Sequence, residues 1–248
     1  MTKGLAILPP NLLEVKTYFN TARNKLTFQI KVYKGTQILP YAQRLAEMRL
    51  KASYEFPYLY VGNMEDELKN VQEYALTPQG LLVVAVKEDR IAGIFSGMPL
   101  ETPGSFLEHW SKKLHQQGLK TDNIYYAGEI IVEPEFQKQR CTSQLISRFF
   151  QEVEAMNFPR ILSVTSIRPY DHLLRPQNYV DIDSICEKCG FEKSSMVLSA
   201  IWPTRQVNGS VKKAKNQLAC WIREKTFSSP SPPLGFNKEK NSRKCVDL

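Results

Sequence analysis

The chain has 248 residues, with 42% hydrophobic and 23% charged side chains and a formal net charge of +8. That length and composition suit one globular domain with appendages, and they suggest neither wholesale disorder nor a membrane protein. No apolar run reaches the roughly 20 residues that cross a bilayer. The N-terminal stretch is broken by Pro9 and Pro10 and lacks a small-residue cleavage site, so no signal peptide is expected and the expected location is cytoplasmic. Five cysteines (Cys141, Cys186, Cys189, Cys220 and Cys245) are odd in number and irregularly spaced, which suits a reducing compartment better than a disulfide framework. The positive charge is scattered apart from Lys212, Lys213 and Lys215 and a second group at Lys238, Lys240, Arg243 and Lys244. No groove-binding motif accompanies it, so nucleic acid is an unlikely partner, whereas a polyanionic ligand would be welcome.

In chain order, residues 1–25 read as a proline-containing lead-in. Residues 26–34 alternate apolar and polar side chains and predict a strand. Ile38, Tyr41, Ala42, Leu45 and Met48 recur at helical spacing and predict a helix over 37–52. Asn63 followed by Glu65 and Asp66 predicts a capped helix running to about Tyr74. Two apolar strands at 81–87 and 91–97, joined by Glu88-Asp89-Arg90, predict a hairpin. Residues 101–123 read as a polar insertion with a short helix near 106–116, in which His109 and His115 look solvated. A strand at 124–132 follows. Leu145, Ile146, Phe149, Phe150, Val153 and Met156 then share one helix face. A strand at 161–167, a helix at 181–189 closed by Gly190, and strands at 196–201 and 217–222 end the domain. Residues 225–248 are Ser/Pro-rich and then basic, too poor in apolar surface to offset ordering, and are expected to be disordered. The order β-α-α-β-β-β-α-β-α-β-β predicts an α/β (α+β) domain over 26–224, with a mixed sheet and helices on both faces, not a pure Rossmann fold.

The stretch Val132-Glu133-Pro134-Glu135-Phe136-Gln137-Lys138-Gln139-Arg140-Cys141-Thr142-Ser143-Gln144-Leu145 resembles the V-x-P-x-[YF]-[RQ]-x-x-G-x-G-[ST]-x-L signature of the GNAT superfamily of N-acetyltransferases. Arg140 and Thr142 stand where glycines are usual. Cys186-Glu187-Lys188-Cys189-Gly190-Phe191 resembles a second landmark, Y-x-x-x-G-F, with Cys186 in the tyrosine's place. Phe56-Pro57-Tyr58-Leu59-Tyr60, and Arg175-Pro176 with Tyr179, are similar to segments of an uncharacterised bacterial-type subgroup.

The resemblance implies a splayed central sheet, acetyl-CoA as cosubstrate, no metal, and a primary amine as acceptor, either a small molecule or a protein lysine. It implies that Val132 and Gln137 to Thr142 (Gln137, Lys138, Gln139, Arg140, Cys141, Thr142) cradle the cofactor's pyrophosphate. Physical chemistry agrees, because the first N–H groups of a helix lack partners and the helix dipole favours an anion there. Arg140 can pair with a phosphate, and Thr142 brings a hydroxyl.

Glu129 is a carboxylate inside an apolar strand, a place where carboxylates are rarely buried unless paired or functional, and the resemblance implies that it is the base that strips the attacking amine; a wet strand edge would equally explain it. Gly128 beside it suits a bulge or splay. Cys186 is the candidate proton donor to the leaving thiolate, its ordinary pKa of about 8.5 being close to that of the thiol it would serve. Unassisted departure of the thiolate is the competing expectation. His172 and Tyr58 are candidate acceptor-binding residues, although a loop histidine and an aromatic packing cluster are the blander readings. The Cys186/Cys189 pair has no second pair to complete a zinc set. A GNAT-fold binding module with little turnover remains the alternative function.

Overall fold

A computed structural model describes residues 28–225. The expected lead-in and the expected basic tail therefore lie outside the described residues, apart from Lys225.

The sheet begins with β1 (Gln29–Lys34), followed by a 3-10 segment, Gly35–Tyr41, and two helices, α1 (Ala42–Tyr54) and α2 (Met64–Leu76). The single helix predicted over 37–52 is thus divided. Its first part carries Pro40, which has no N–H to give an α-helical ladder, and α-geometry begins only at Ala42. Asn63 caps α2 as expected, its side chain accepting from the Asp66 N–H at 2.9 Å. The hairpin of β2 (Leu81–Lys87) and β3 (Arg90–Pro99) turns on Glu88 and Asp89. Both hold positive φ (51° and 58°), the backbone that matches strand twist in a two-residue turn.

After β3 come α3 (Leu107–Gln116), β4 (Ile124–Val132), a 3-10 turn at Pro134–Phe136, α4 (Cys141–Ala155), β5 (Arg160–Ser166), α5 (Ile182–Lys188), β6 (Glu192–Arg205) and β7 (Val211–Glu224). Among the described residues, seven strands form one sheet in the order β1-β2-β3-β4-β5-β7-β6. Every neighbouring pair is antiparallel except β4–β5. The fold is a mixed α/β architecture, a mostly antiparallel sheet with helices on both faces.

Strand alternation sends side chains to two cores. Leu82, Val84, Ile94 and Met98 face α1, α2 and α3, while Leu81, Val83, Ala85 and Phe95 face α4. Strand β2 is buried on both faces, which is why it reads as an unbroken apolar run. The insertion is less solvated than its composition suggests, since Leu107 and Leu114 reach the first core, although His109 and His115 are exposed as expected. Strands β6 and β7 are each 14 residues long, far beyond the predicted cores at 196–201 and 217–222. Their outer halves pair through the backbone while exposing side chains such as Lys212 and Lys213, which carry no apolar period to read.

Candidate functional site

Parallel pairing of β4 with β5 covers Ile124↔Arg160, Tyr125↔Ile161 and Tyr126↔Leu162 and then stops. Beyond it, β4 stays paired with β3 to Val132, while β5 stays paired with β7 to Ser166. The two strands part company inside the sheet, and their facing backbone groups have no strand partner. A cavity of about 990 Å³ opens there, with Gly128–Ile131 on one wall and Ser163–Thr165 on the other.

The divergence coincides with a bulge. The β3–β4 register slips between Phe95/Ile130 and Gly97/Ala127, so that Gly128 and Glu129 together oppose Ser96. Glycine is required here on steric grounds. A Cβ on Gly128 would stand 2.5 Å from the Tyr74 hydroxyl and 3.2 Å from the Ser96 carbonyl oxygen. The expectation of a bulge at this glycine is met.

The bulge turns Glu129 onto the cavity wall, where three donors hold its carboxylate. Ser96 donates to Oε2 at 2.6 Å, Tyr74 donates to the same oxygen at 3.2 Å, and Arg49 ion-pairs with Oε1. Ser96 Oγ also accepts from the Glu129 N–H at 3.3 Å, locking side chain and backbone of the bulge together. Arg49 in turn donates to Glu67 Oε2 at 2.6 Å. The Glu67 side chain is 2% exposed and that of Glu129 24%, so only Glu129 is open to water. Burial opposes the Arg49 charge, but the Glu129 and Glu67 carboxylates more than offset it and hold its pKa well above the ordinary value. Burial, and then the Glu129 charge, push the Tyr74 and Tyr58 phenols far up, so both remain neutral donors. Tyr60 is raised to about 12 by burial and by Glu67.

Tyr58 borders the same cavity on a loop that is firmly fixed. Its carbonyl accepts from Arg168 at 3.0 Å and from the Trp202 indole at 3.2 Å, and Tyr60 bridges to Thr204 on β6. Cys186, on α5, also borders the cavity and is 7% exposed. Burial, reinforced by the Asp183 charge, pushes its thiol up to about 12. This corrects the expected match in pKa with the thiol it would serve, because desolvation penalises the thiolate in a way that sequence spacing cannot reveal.

The expected phosphate cradle lies at the other end of α4. Arg140 is the N-terminal cap residue, and the N–H groups of Cys141, Thr142 and Ser143 follow it. Arg140 holds a φ of +64°, the left-handed backbone that a glycine would adopt freely, and Lys138 a φ of +61°. Gln137, Lys138, Gln139, Arg140 and Thr142 are exposed. Gln137 and Gln139 brace the turn by donating to the carbonyls of Val132 (3.3 Å) and Glu135 (2.7 Å). Cys141 is different. Its thiol is buried in the core and raised to about 11, leaving only its backbone N–H for a ligand. Ile146 and Phe150, farther along α4, line the cavity, so one helix joins the cradle to the cleft. Val132 closes β4 opposite Gly93.

His172 does not join this group. It packs on Phe56 at 5.6 Å, its Nδ1 accepts from the Leu174 N–H at 3.2 Å, and burial together with Arg168 lowers its pKa. It is a loop-bracing residue outside the cavity wall. Among the described residues no group of three or more His, Cys, Asp or Glu side chains is placed to hold a metal ion, and no helix is long and apolar enough to cross a membrane.

Arg49, Glu67, Tyr74 and Ser96 escaped the sequence reading. A weak signal existed for Ser96, a lone hydroxyl in the apolar run Ile91–Pro99, and for Glu67, an acid on the buried face of α2.

No family model and no curated protein matches the chain. Solved structures do resemble it. A protein from Desulfovibrio desulfuricans described as a GNAT-family acetyltransferase aligns at 14% identity over 79% of this chain and 99% of its own, with a TM-score of 0.49. The ribosomal-protein-S18-alanine N-acetyltransferase of Escherichia coli aligns at 11% identity over 84% and 100%, TM-score 0.47. A Bacillus subtilis acetyltransferase in complex with CoA aligns at 13% identity over 80% and 99%, TM-score 0.46. All three are described as acetyltransferases.

Proposed function

We propose that this protein is an acyl-CoA-dependent N-acyltransferase that moves an acetyl group from acetyl-CoA to a primary amine by direct attack in a ternary complex. The observation that carries the reading is the end of β4–β5 pairing at Tyr126/Leu162, which leaves the facing backbone groups of the two strands without a strand partner beside a cavity. An extended amide-bearing acyl arm matches such a gap, because it can take the hydrogen bonds that the missing strand pairing leaves open. The helix N-terminus at Arg140–Ser143, with Arg140 and Lys138 exposed beside it, suits the pyrophosphate.

In this reading the amine nitrogen attacks the thioester carbonyl carbon, and β4 backbone N–H groups steady the oxyanion. The C–S bond breaks as the carbonyl reforms. Glu129, the cavity carboxylate open to water, takes the proton from the amine through a bridging water. The CoA thiolate leaves without an acid, since a Cys186 thiol raised to about 12 gives up its proton too reluctantly. Tyr58 borders the acceptor side as a neutral hydrogen-bond donor. A second reading, an acyl-CoA-binding module with little turnover, is favoured by one fact: Arg49, Ser96 and Tyr74 already engage the Glu129 carboxylate.

Calorimetric titration with CoA, paired with thiol release from acetyl-CoA over a panel of amines, separates the two. Binding with release supports the enzyme and binding without release supports the module. No binding at millimolar CoA would remove both.

A further inference from the structure

The cavity carries charges that the acyl transfer uses only in part: Glu129 takes a proton, while Lys113 and Lys215 have no role in that step. Resting on the acyltransferase reading, we infer that the acceptor is zwitterionic: a primary amine on an aryl or similarly apolar body that bears a carboxylate at its far end. The evidence comes from three parts of one cavity wall.

The first is a negative pole. Glu67 and Glu129 share the single guanidinium of Arg49, which leaves one negative charge in excess beside the splay. An ammonium group neutralises that excess; it loses one proton to water to become the nucleophile, and the second, lost on attack, is the one that Glu129 takes.

The second is an aromatic body. Helix α3, inserted between β3 and β4, packs on β6 and presents Trp110 to the cavity. Trp110 meets Phe106 and Tyr126 edge-on at 6.2 and 5.9 Å, and all three rings line the cavity with Trp202. Such a wall suits a flat apolar group, since rings pack edge-on or offset and exclude water.

The third is a pair of unanswered cations. Lys113, one helical turn from His109 on α3, and Lys215 on β7 both line the cavity. Neither has a carboxylate within 4.0 Å among the described residues, which leaves both free to meet a ligand. Lys113 is half-buried and Lys215 exposed, so water meets both charges and a ligand anion can take its place with a charge-assisted hydrogen bond. A ligand carboxylate is that anion. The cavity volume of about 990 Å³ lies at the upper end of ordinary ligand pockets, roomy enough for an acyl arm together with such an acceptor.

Three matched probes test the inference: 4-(2-aminoethyl)benzoate, its neutral isostere 4-(2-aminoethyl)benzamide, and 2-phenylethylamine. Binding is measured calorimetrically to the full chain with CoA present, and thiol release from acetyl-CoA is followed separately. The benzoate is expected to bind at least tenfold more tightly than the benzamide. In the double variant Lys113→Gln, Lys215→Gln, checked for an unchanged melting temperature, the two should agree within twofold. Equal binding of benzoate and benzamide to the unaltered protein, a preference that survives in the variant, or binding of none of the three would overturn the inference. If the benzoate preference holds while no amine releases thiol, the acyltransferase reading falls and the recognition stands. If other amines release thiol freely and the preference is missing, the recognition falls alone.

Discussion

Replacing Arg49 with methionine probes the buried charge cluster most directly. Met follows the same unbranched path as far as the Nε position and carries no charge, so the change leaves Glu67 and Glu129 without the cation between them. The two carboxylates do not suffer equally. Glu67 is 2% exposed, so its charge cannot be resolvated in place, and it keeps only the Tyr60 hydroxyl and a long 3.4 Å bond from the Asn70 amide. Glu129 is 24% exposed and keeps its bonds from Ser96 and Tyr74. Breaking a buried pair by removing one partner costs about 3–5 kcal/mol, because the other charge stays behind unpaired. Most of that cost should arise at Glu67. The double variant Arg49→Met, Glu67→Gln should therefore recover at least half of the loss, whereas Arg49→Met, Glu129→Gln should recover less. Urea unfolding of the single and double variants, compared at equal m-value, measures all three. An Arg49→Met variant within about 1 kcal/mol of the parent would refute the reasoning, and so would a larger rescue from Glu129→Gln.

Other outcomes follow from the same geometry. Gly128→Ala drives a Cβ to 2.5 Å from the Tyr74 hydroxyl, so it should cost the hydrogen bond to Glu129, about 1.5–3 kcal/mol for a charged acceptor. Adding Tyr74→Phe should then cost little more, and chemical denaturation of the cycle decides this. Arg140→Gly should raise the melting temperature, since a non-glycine residue in the left-handed region costs about 1–2 kcal/mol, while weakening CoA affinity in calorimetry through the lost phosphate partner. Cys186→Ala should slow acyl transfer less than tenfold in steady-state kinetics, because its thiol is raised to about 12 and serves as packing, whereas Glu129→Gln should cost far more. Glu133, hydrogen-bonded by Lys51 at 2.8 Å and Arg44 at 2.7 Å, has a lowered pKa. Its contribution is present above the ordinary carboxylate pKa and lost as pH falls through the lowered folded value, so the stability gap between parent and Glu133→Gln should close on acidification.

The elements that were legible in the sequence are those whose pattern is local. Asn63 announced a helix start because its cap closes within three residues, and Glu88-Asp89 announced a hairpin because the turn needs only itself. Gly128 and Glu129 could be singled out because a glycine and an acid interrupt an apolar strand. Their partners could not. Arg49 and Tyr74 lie 80 and 55 positions away from Glu129, on helices whose polar side chains look like any solvated face until the fold brings them together. The outer halves of β6 and β7 were missed for a related reason. Their pairing is backbone to backbone, so side chains such as Lys212 and Lys213 are free to be polar. His172 shows the opposite error, a residue type rich in chemical possibilities that the fold uses to brace a loop.

Arg140 and Thr142 stand where the motif that this stretch resembles has glycines, and the proposed anion site does not need those glycines. What an anion site at a helix start needs is a chain direction and free N–H groups, and neither belongs to the side chain. Arg140 keeps the left-handed φ that glycine would adopt freely, at a cost in backbone energy, and its exposed guanidinium gives something back, a charge-assisted donor beside the anion. The bulge at Gly128 has no such latitude. There the constraint is a hydroxyl 2.5 Å from where a Cβ would stand, and that hydroxyl helps to hold the one water-accessible carboxylate of the Arg49 cluster. Substitution is therefore tolerated where the backbone supplies the function and excluded where close packing does. The proposed anion site at Arg140–Ser143 falls in the first class, and the Gly128–Glu129 bulge falls in the second.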